Sequence, residues 1–302
     1  MDMLEFKKIK REDFPVIDKY FEMNLENIRG DRFCDYAPGT VKMWCDAYDM
    51  EYAVFNGMMY LKADYEEENG TSYLMPVGKV CDNSLIPLYE YLKTVKGATL
   101  SVIPENMLDE VAQVFGVRTE RLFADRDWAD YIYLKEDFCN PSGKKQHKYK
   151  NNLNRFAKEH PDFQIVPITD DICGEAIEFF KTYCKNNPSS SSVDDDEYYA
   201  TLPVIEKPKE YSMSGAVLVT EGKIVGLTLG EIYGDTVIIH TEKAEKSYTG
   251  AYQTLARGYL MMMPEEVRYV NREEDMGLDG LRRSKLSYSP VRLDYKYTLY
   301  LN

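Results

Sequence analysis

The order of elements in the last third of the chain limits the fold more than any other feature. Residues 214–220, 224–232 and 236–243 read as three consecutive strands, joined by Glu221-Gly222-Lys223 and Tyr233-Gly234-Asp235. A helix follows over 250–262, opening on Tyr248-Thr249-Gly250-Ala251 and stopped by Pro264. Tyr252, Leu255, Ala256, Tyr259 and Met263 fall at helical spacing, so one of its faces belongs to a core. A short strand at Tyr269, a basic helix over 278–286 and a last strand complete the order. An antiparallel meander that feeds the bare N-terminus of a helix implies a mixed α/β lobe. It also offers an anion cradle, because the first amides of a helix have no intrahelical partner.

The chain has 302 residues, long for one domain, and two lobes are expected at 1–140 and 141–302. In the first, residues 11–24 carry Phe14, Ile17, Tyr20 and Phe21 on one helical stripe. Asn56-Gly57 between apolar runs at 51–55 and 58–62 signals a hairpin. A helix over 84–95, a strand over 98–103 and a helix from Pro104 to Phe115 come next. The strand at 129–134 is expected to close this lobe, and 137–146 reads as a linker. The second lobe repeats the plan with a helix over 144–159, a strand over 163–168 and a helix over 171–185. The stretch 186–197, with four serines and three consecutive aspartates, reads as a solvated loop or a lid.

Charge divides unevenly: residues 1–140 hold 16 Lys+Arg against 27 Asp+Glu, and the remainder 21 against 24. An acidic front half repels nucleic acid and anionic membrane surfaces, so an anionic ligand is expected in the second half. Six cysteines without a C-x-x-C pair, and only three histidines, argue against a metal site. The N-terminus, Met1-Asp2-Met3-Leu4-Glu5, is no signal peptide, and no apolar run reaches the roughly 18 residues of a spanning helix. A cytoplasmic location with reduced thiols is expected, without membrane insertion.

Alternation along the third strand puts His240 and Glu242 on one face, an imidazole beside a carboxylate. Such a pair could take a proton from an attacking amine or hydroxyl; an interstrand bonded pair without catalytic duty is the alternative. At the helix start, Lys243, Lys246, Tyr248, Thr249, Gly250, Ala251 and Tyr252 supply cations, a capping hydroxyl and a glycine that admits a ligand to the backbone. Those are parts of a pyrophosphate cradle of the kind that holds coenzyme A. Arg282 and Lys285 share a face of the basic helix and, with Asn271, could position a phosphate or carboxylate; a solvated face is the rival reading. Tyr288 could return a proton to a leaving thiolate. The helix 144–156 bears an apolar stripe of Tyr149, Leu153 and Phe156, with Lys144, Lys148, Asn151 and Arg155 opposite. It is a dock for a phosphate-bearing donor or an ordinary amphipathic helix. Lys150, Asn151, Asn154, Arg272 and Asp275 complete the candidate substrate contacts.

Residues 144–156 and 271–295 together resemble the catalytic domain of bacterial phosphatidylglycerol lysyltransferases and its soluble relatives. The likeness rests on the basic, asparagine-bearing helix and on Gly280-Leu281, Arg283, Lys285, Pro290 and Tyr295. Membrane members carry tryptophan and arginine between that proline and tyrosine, where this chain has Val291-Arg292-Leu293-Asp294. The resemblance implies two tandem acyl-CoA N-acyltransferase-like (GNAT-like) α/β lobes, each a mixed sheet flanked by helices, with chemistry in the second. Its membrane members move lysine or alanine from charged tRNA to a lipid hydroxyl. On the residues here the expected reaction is acyl transfer from a coenzyme A thioester to an amine or hydroxyl. An extended basic surface, which tRNA needs, is disfavoured by the net charge of −14. Aminoacyl-tRNA-dependent transfer and non-catalytic metabolite binding are the alternatives.

Overall fold

The computed structural model describes residues 4–25, 32–64, 71–79, 83–144, 146–188 and 192–301. Its contacts divide the chain into two units, Met1–Asp130 with Glu274–Leu278 and Leu293–Asn302, and Tyr131–Glu273 with Asp279–Arg292.

In the first unit the elements are β1 (Lys7–Lys8), α1 (Phe14–Asn24), α2 (Pro38–Trp44), β2 (Glu51–Phe55), β3 (Met58–Asp64), β4 (Thr71–Leu74), β5 (Val77–Gly78), α3 (Ile86–Leu92), β6 (Thr99–Ile103), α4 (Leu108–Phe115) and β7 (Phe123–Ala124). The expected hairpin is β2–β3, with Asn56 and Gly57 at φ 49 and 78, the double left-handed turn that matches strand twist. Helix α4 ends on Gly116 in the left-handed region, where Val117 donates back to the Ala112 carbonyl. Leu88, Leu100, Val111, Tyr60 and Leu299 lie in its core.

The second unit runs through β8 (Asp130–Leu134), α5 (Lys135–Cys139), α6 (His147–Glu159), β9 (Gln164–Pro167), α7 (Cys173–Asn186), α8 (Ser192–Glu206), β10 (Ser214–Thr220), β11 (Lys223–Tyr233), β12 (Thr236–Ala244), α9 (Ala251–Met261), β13 (Tyr269–Asn271) and α10 (Asp279–Ser287), and the chain closes with β14 (Arg292–Asp294) and β15 (Tyr297–Tyr300). The order in its sheet is β14-β8-β13-β12-β11-β10-β9, with β12 and β13 parallel and the meander antiparallel. Phe156 of α6 packs with Leu218, Val225, Ala244, Ala251 and Leu255 between the sheet and α9.

Three expectations change. The strand at 129–134 does not close the first lobe: β8 pairs with β13 in the second sheet. The last strand goes the other way, since β15 lies between β6 and β7 of the first sheet, whose order is β1-β2-β3-β4-β6-β15-β7. Strand pairing and not chain order assigns these two segments to their sheets. Finally, 186–197 is not all loop: α8 begins at Ser192, and 189–191 lie outside the described residues. The acidic run leads into Val204 and Ile205, both fully buried, and tertiary packing of that half overrides the polar composition.

The first unit encloses an ionic cluster. The Lys296 ammonium lies 2.7 Å from Asp35, 2.8 Å from Asp130 and 3.3 Å from Glu274. Cys34 sits 3.4 Å from that ammonium, and its thiol is pushed well above the usual range by burial and the surrounding carboxylates. Burial also pushes the Asp130 carboxyl up to about 7, against the pull of Lys296.

Candidate active site

The polar centre of the second unit lies where β12 and β13 part. They pair only over Thr236–Ile238 and Tyr269–Asn271, after which β12 runs on without β13, its His240 and Glu242 met by the side chains of Glu273 and Arg272. Opposite, the β11–β12 register slips: Ile239 faces Gly230 and Thr241 faces Leu229, so His240 is the extra residue of a β-bulge. Gly230 permits this, because a Cβ there would meet the Ile238 carbonyl oxygen at 2.3 Å.

His240 and Glu242 do not pair with each other. His240 Nε2 lies 2.9 Å from Glu231 and Nδ1 2.8 Å from Glu273, with the imidazole 1% exposed. Burial works against its charge, yet the bonds to both carboxylates outweigh burial and hold His240 up at about 10. At neutral pH both ring nitrogens donate, so the imidazolium has no lone pair with which to take a proton. This is the physical objection to His240 as a base. Glu242 instead accepts from Arg272 Nη2 at 2.6 Å. Burial raises the Glu242 carboxyl, opposed by Arg272 and Lys285.

Arg272 is the hub. Its guanidinium lies 4.6 Å above the Tyr288 ring and 6.0 Å from that of Phe138. Its Nη1 is buried without a hydrogen-bond partner among the described residues. The Lys285 ammonium is buried on the Arg272 carbonyl at 2.5 Å, over the Tyr131 ring, so it pins this segment and does not face a solvent-borne phosphate. Asn271, fully buried, accepts from the Glu273 amide at 2.6 Å and shapes the turn. Tyr288 accepts from Gln253, and burial raises its phenol. With Asp137, Phe138, Gln146, Tyr149 and Ser287 it lines a narrow cleft.

The other predicted residues are placed elsewhere. Asp275 is buried in the first unit, where it accepts from Arg126. Lys243 is tied to Glu197 at 2.8 Å, and Tyr252 shares a hydrogen bond with Tyr183. Lys246 is exposed, Thr249 half-buried and Ala251 buried, and Tyr248 packs on His160. The α9 N-terminus has no side-chain cap, so the expected threonine cap is absent. Gly250 has φ 94, and a Cβ on it would meet the Asn152 carbonyl oxygen at 2.3 Å. The glycine thus admits α6 to the backbone, where the sequence reading had a ligand. Lys150, Asn151 and Asn154 lie on the exposed face of α6, and Arg282 is half-buried on α10.

Sequence reasoning missed Glu231. Its signal was a lone carboxylate in the apolar run Leu227-Thr228-Leu229-Gly230-Glu231-Ile232, which only a buried cation could accommodate.

Together a buried guanidinium, several carboxylates and an aromatic wall can hold a carbonyl oxygen as it gains charge and receive a proton nearby. Among the described residues no helix is long and apolar enough to cross a membrane. A conserved protein of unknown function from Bacteroides thetaiotaomicron is 30% identical, over 99% of this chain and 100% of that one, with a TM-score of 0.86. The structure of L-PGS from Bacillus licheniformis shares the fold, with a TM-score of 0.66 at 16% identity over 97% of this chain and 92% of that one. An uncharacterised protein of Mycoplasmoides gallisepticum is 25% identical over 171 residues, and the chain spans only 54% of its length. The expected mixed α/β architecture is the fold of the chain, with two units and two mixed sheets accompanied by helices. The description "Phosphatidylglycerol lysyltransferase, C-terminal" matches residues 29–300, and the chain belongs to that family.

Proposed function

We propose that the second unit transfers an acyl or aminoacyl group from an activated ester to an amine or hydroxyl. The Nη1 of Arg272, buried without a hydrogen-bond partner among the described residues, carries this reading. A donor held in place by Glu242 and the Tyr288 ring costs no reorganisation when a carbonyl oxygen becomes an oxyanion, and one such donor is worth about 10²–10³ in rate.

An aminoacyl group borne on RNA is the donor this geometry favours. Tyr149 of α6 meets Tyr288, just beyond α10, at 5.5 Å, so the two basic helices are neighbours. Lys148 and Lys150 on the one, Lys144 just before it and Arg283 on the other are exposed, a surface suited to backbone phosphates. The coenzyme A reading keeps the uncapped start of α9 in its favour. It is weakened because Lys243 and Lys285 are engaged and α6 crosses at Gly250. The family's named acceptor makes phosphatidylglycerol the first acceptor to try, with free amino acids and peptides alongside.

The test supplies purified protein with labelled aminoacyl-tRNA or labelled acetyl-coenzyme A, and with phosphatidylglycerol vesicles or amine acceptors. Transfer from one donor, reduced about 10²–10³-fold in kcat by Arg272→Lys, is the expected result. Transfer from neither donor, or an Arg272→Lys enzyme as fast as wild type, overturns it.

A further inference from the structure

Three costly local features of the second unit converge on one carboxylate. Glu231 is a fully buried acid in an apolar strand, which is tolerated only when paired. His240 is bulged out of register to meet it. Glu273 has φ 57, an unfavourable backbone for a residue with a Cβ. Its amide is held by Asn271, and its carbonyl accepts from the Tyr131 amide. Of the two carboxylates on His240, Glu231 is sealed and Glu273 is 25% exposed, so the array opens to solvent at one end only.

We propose that Glu273 is the catalytic proton acceptor and that Glu231 and His240 are positioning residues which fix its carboxylate; the inference rests on the transfer reading above. As the acceptor's nitrogen or oxygen forms its bond to the donor's acyl carbon, its proton passes to a Glu273 oxygen. The carbonyl electron pair moves to the oxygen bonded by Arg272. Collapse breaks the bond from acyl carbon to the leaving oxygen, or sulfur for a thioester, and that atom takes the proton from Glu273. His240 keeps both ring protons throughout. A cation between two carboxylates leaves the array one negative charge in excess, which gives it room for the incoming proton. Next along the chain Arg272 pairs with Glu242, and the Lys285 ammonium of α10 lies on the Arg272 carbonyl.

Two measurements test this. With the donor that wild type turns over, Glu273→Gln lowers kcat about 10²–10⁴-fold at nearly constant KM and removes the acidic limb of the pH profile. Glu231→Gln keeps turnover but lowers kcat and moves the alkaline limb to lower pH. Independently of activity, the imidazole resonances of His240 are followed by NMR. The wild-type ring stays protonated through pH 8, and Glu231→Gln lowers its midpoint by a unit or more. A Glu273→Gln enzyme within threefold of wild type overturns the base assignment, and so does a wild type that transfers from no donor. A wild-type His240 that titrates near 6.5 overturns the array whatever the activity.

Discussion

Replacing Gly250 with alanine should destabilise the second unit by about 2–5 kcal/mol, as two costs add. A residue with a Cβ in the left-handed region costs about 1–2 kcal/mol, and Gly250 sits at φ 94. The new methyl would lie 2.3 Å from the Asn152 carbonyl oxygen and 3.0 Å from Phe156 Cβ. Neither neighbour can yield, since one is helical backbone of α6 and the other is fully buried, so overpacking adds about 1–3 kcal/mol. Gly222→Ala in the β10–β11 turn is the control. Gly222 also has positive φ, 68, but nothing lies within 4 Å of its Cβ position, so it carries the backbone cost alone. Denaturant unfolding followed by far-ultraviolet circular dichroism suits the comparison, because both tryptophans, Trp44 and Trp128, lie in the first unit. If Gly250→Ala is no less stable than Gly222→Ala, the close crossing of α6 over the start of α9 is wrong. The same arithmetic disqualifies Gly250 substitutions as probes of donor binding, since they disturb the fold first.

The His240 array should make stability depend on alkaline pH. Its folded pKa, about 10, is raised above the usual 6.5, so its contribution is complete below pH 6.5 and is lost as pH rises through 10. Unfolding titrations should show a fall on the order of a few kcal/mol that His240→Gln abolishes. In the first unit, Lys296→Met leaves Asp35, Asp130 and Glu274 without their shared cation and should cost about 3–5 kcal/mol, read as a loss of melting temperature. Asp130 has the same sign as His240: its carboxyl, raised from 3.8 to about 7, favours folding below pH 3.8 and loses that contribution as pH passes 7. Asp130→Asn should therefore flatten the stability profile between those values.

Local signals made much of the fold legible. Asn56-Gly57, the breaks at Gly222 and Gly234, and Pro264 after α9 each act within a few residues, and the elements they bound are present. Strand allocation was not legible: β8 and β15 exchange sheets through pairings far apart in sequence, which no local period encodes. At the site, alternation brought His240 and Glu242 toward the same segment but said nothing of partners. The bulge at His240 and the divergence after Asn271 decide those, and both are properties of neighbouring strands. Lys285 read as a surface cation because its helix is polar, yet its ammonium turns inward to a backbone carbonyl.

The position of β15 sets the timing of folding. Tyr297 pairs with both Ile103 and Ala124, so a strand made after the second unit belongs inside a sheet whose other strands are made before it. While the ribosome is still producing the second unit, the first has β6 and β7 without the strand that separates them. Both strands then expose unsatisfied backbone edges, which invite mispairing. Closing the long intervening loop is a slow, entropically opposed step. The sheet can be completed only once Tyr297–Tyr300 have been synthesised, and a hindrance to their pairing should reduce soluble yield without touching the candidate active site.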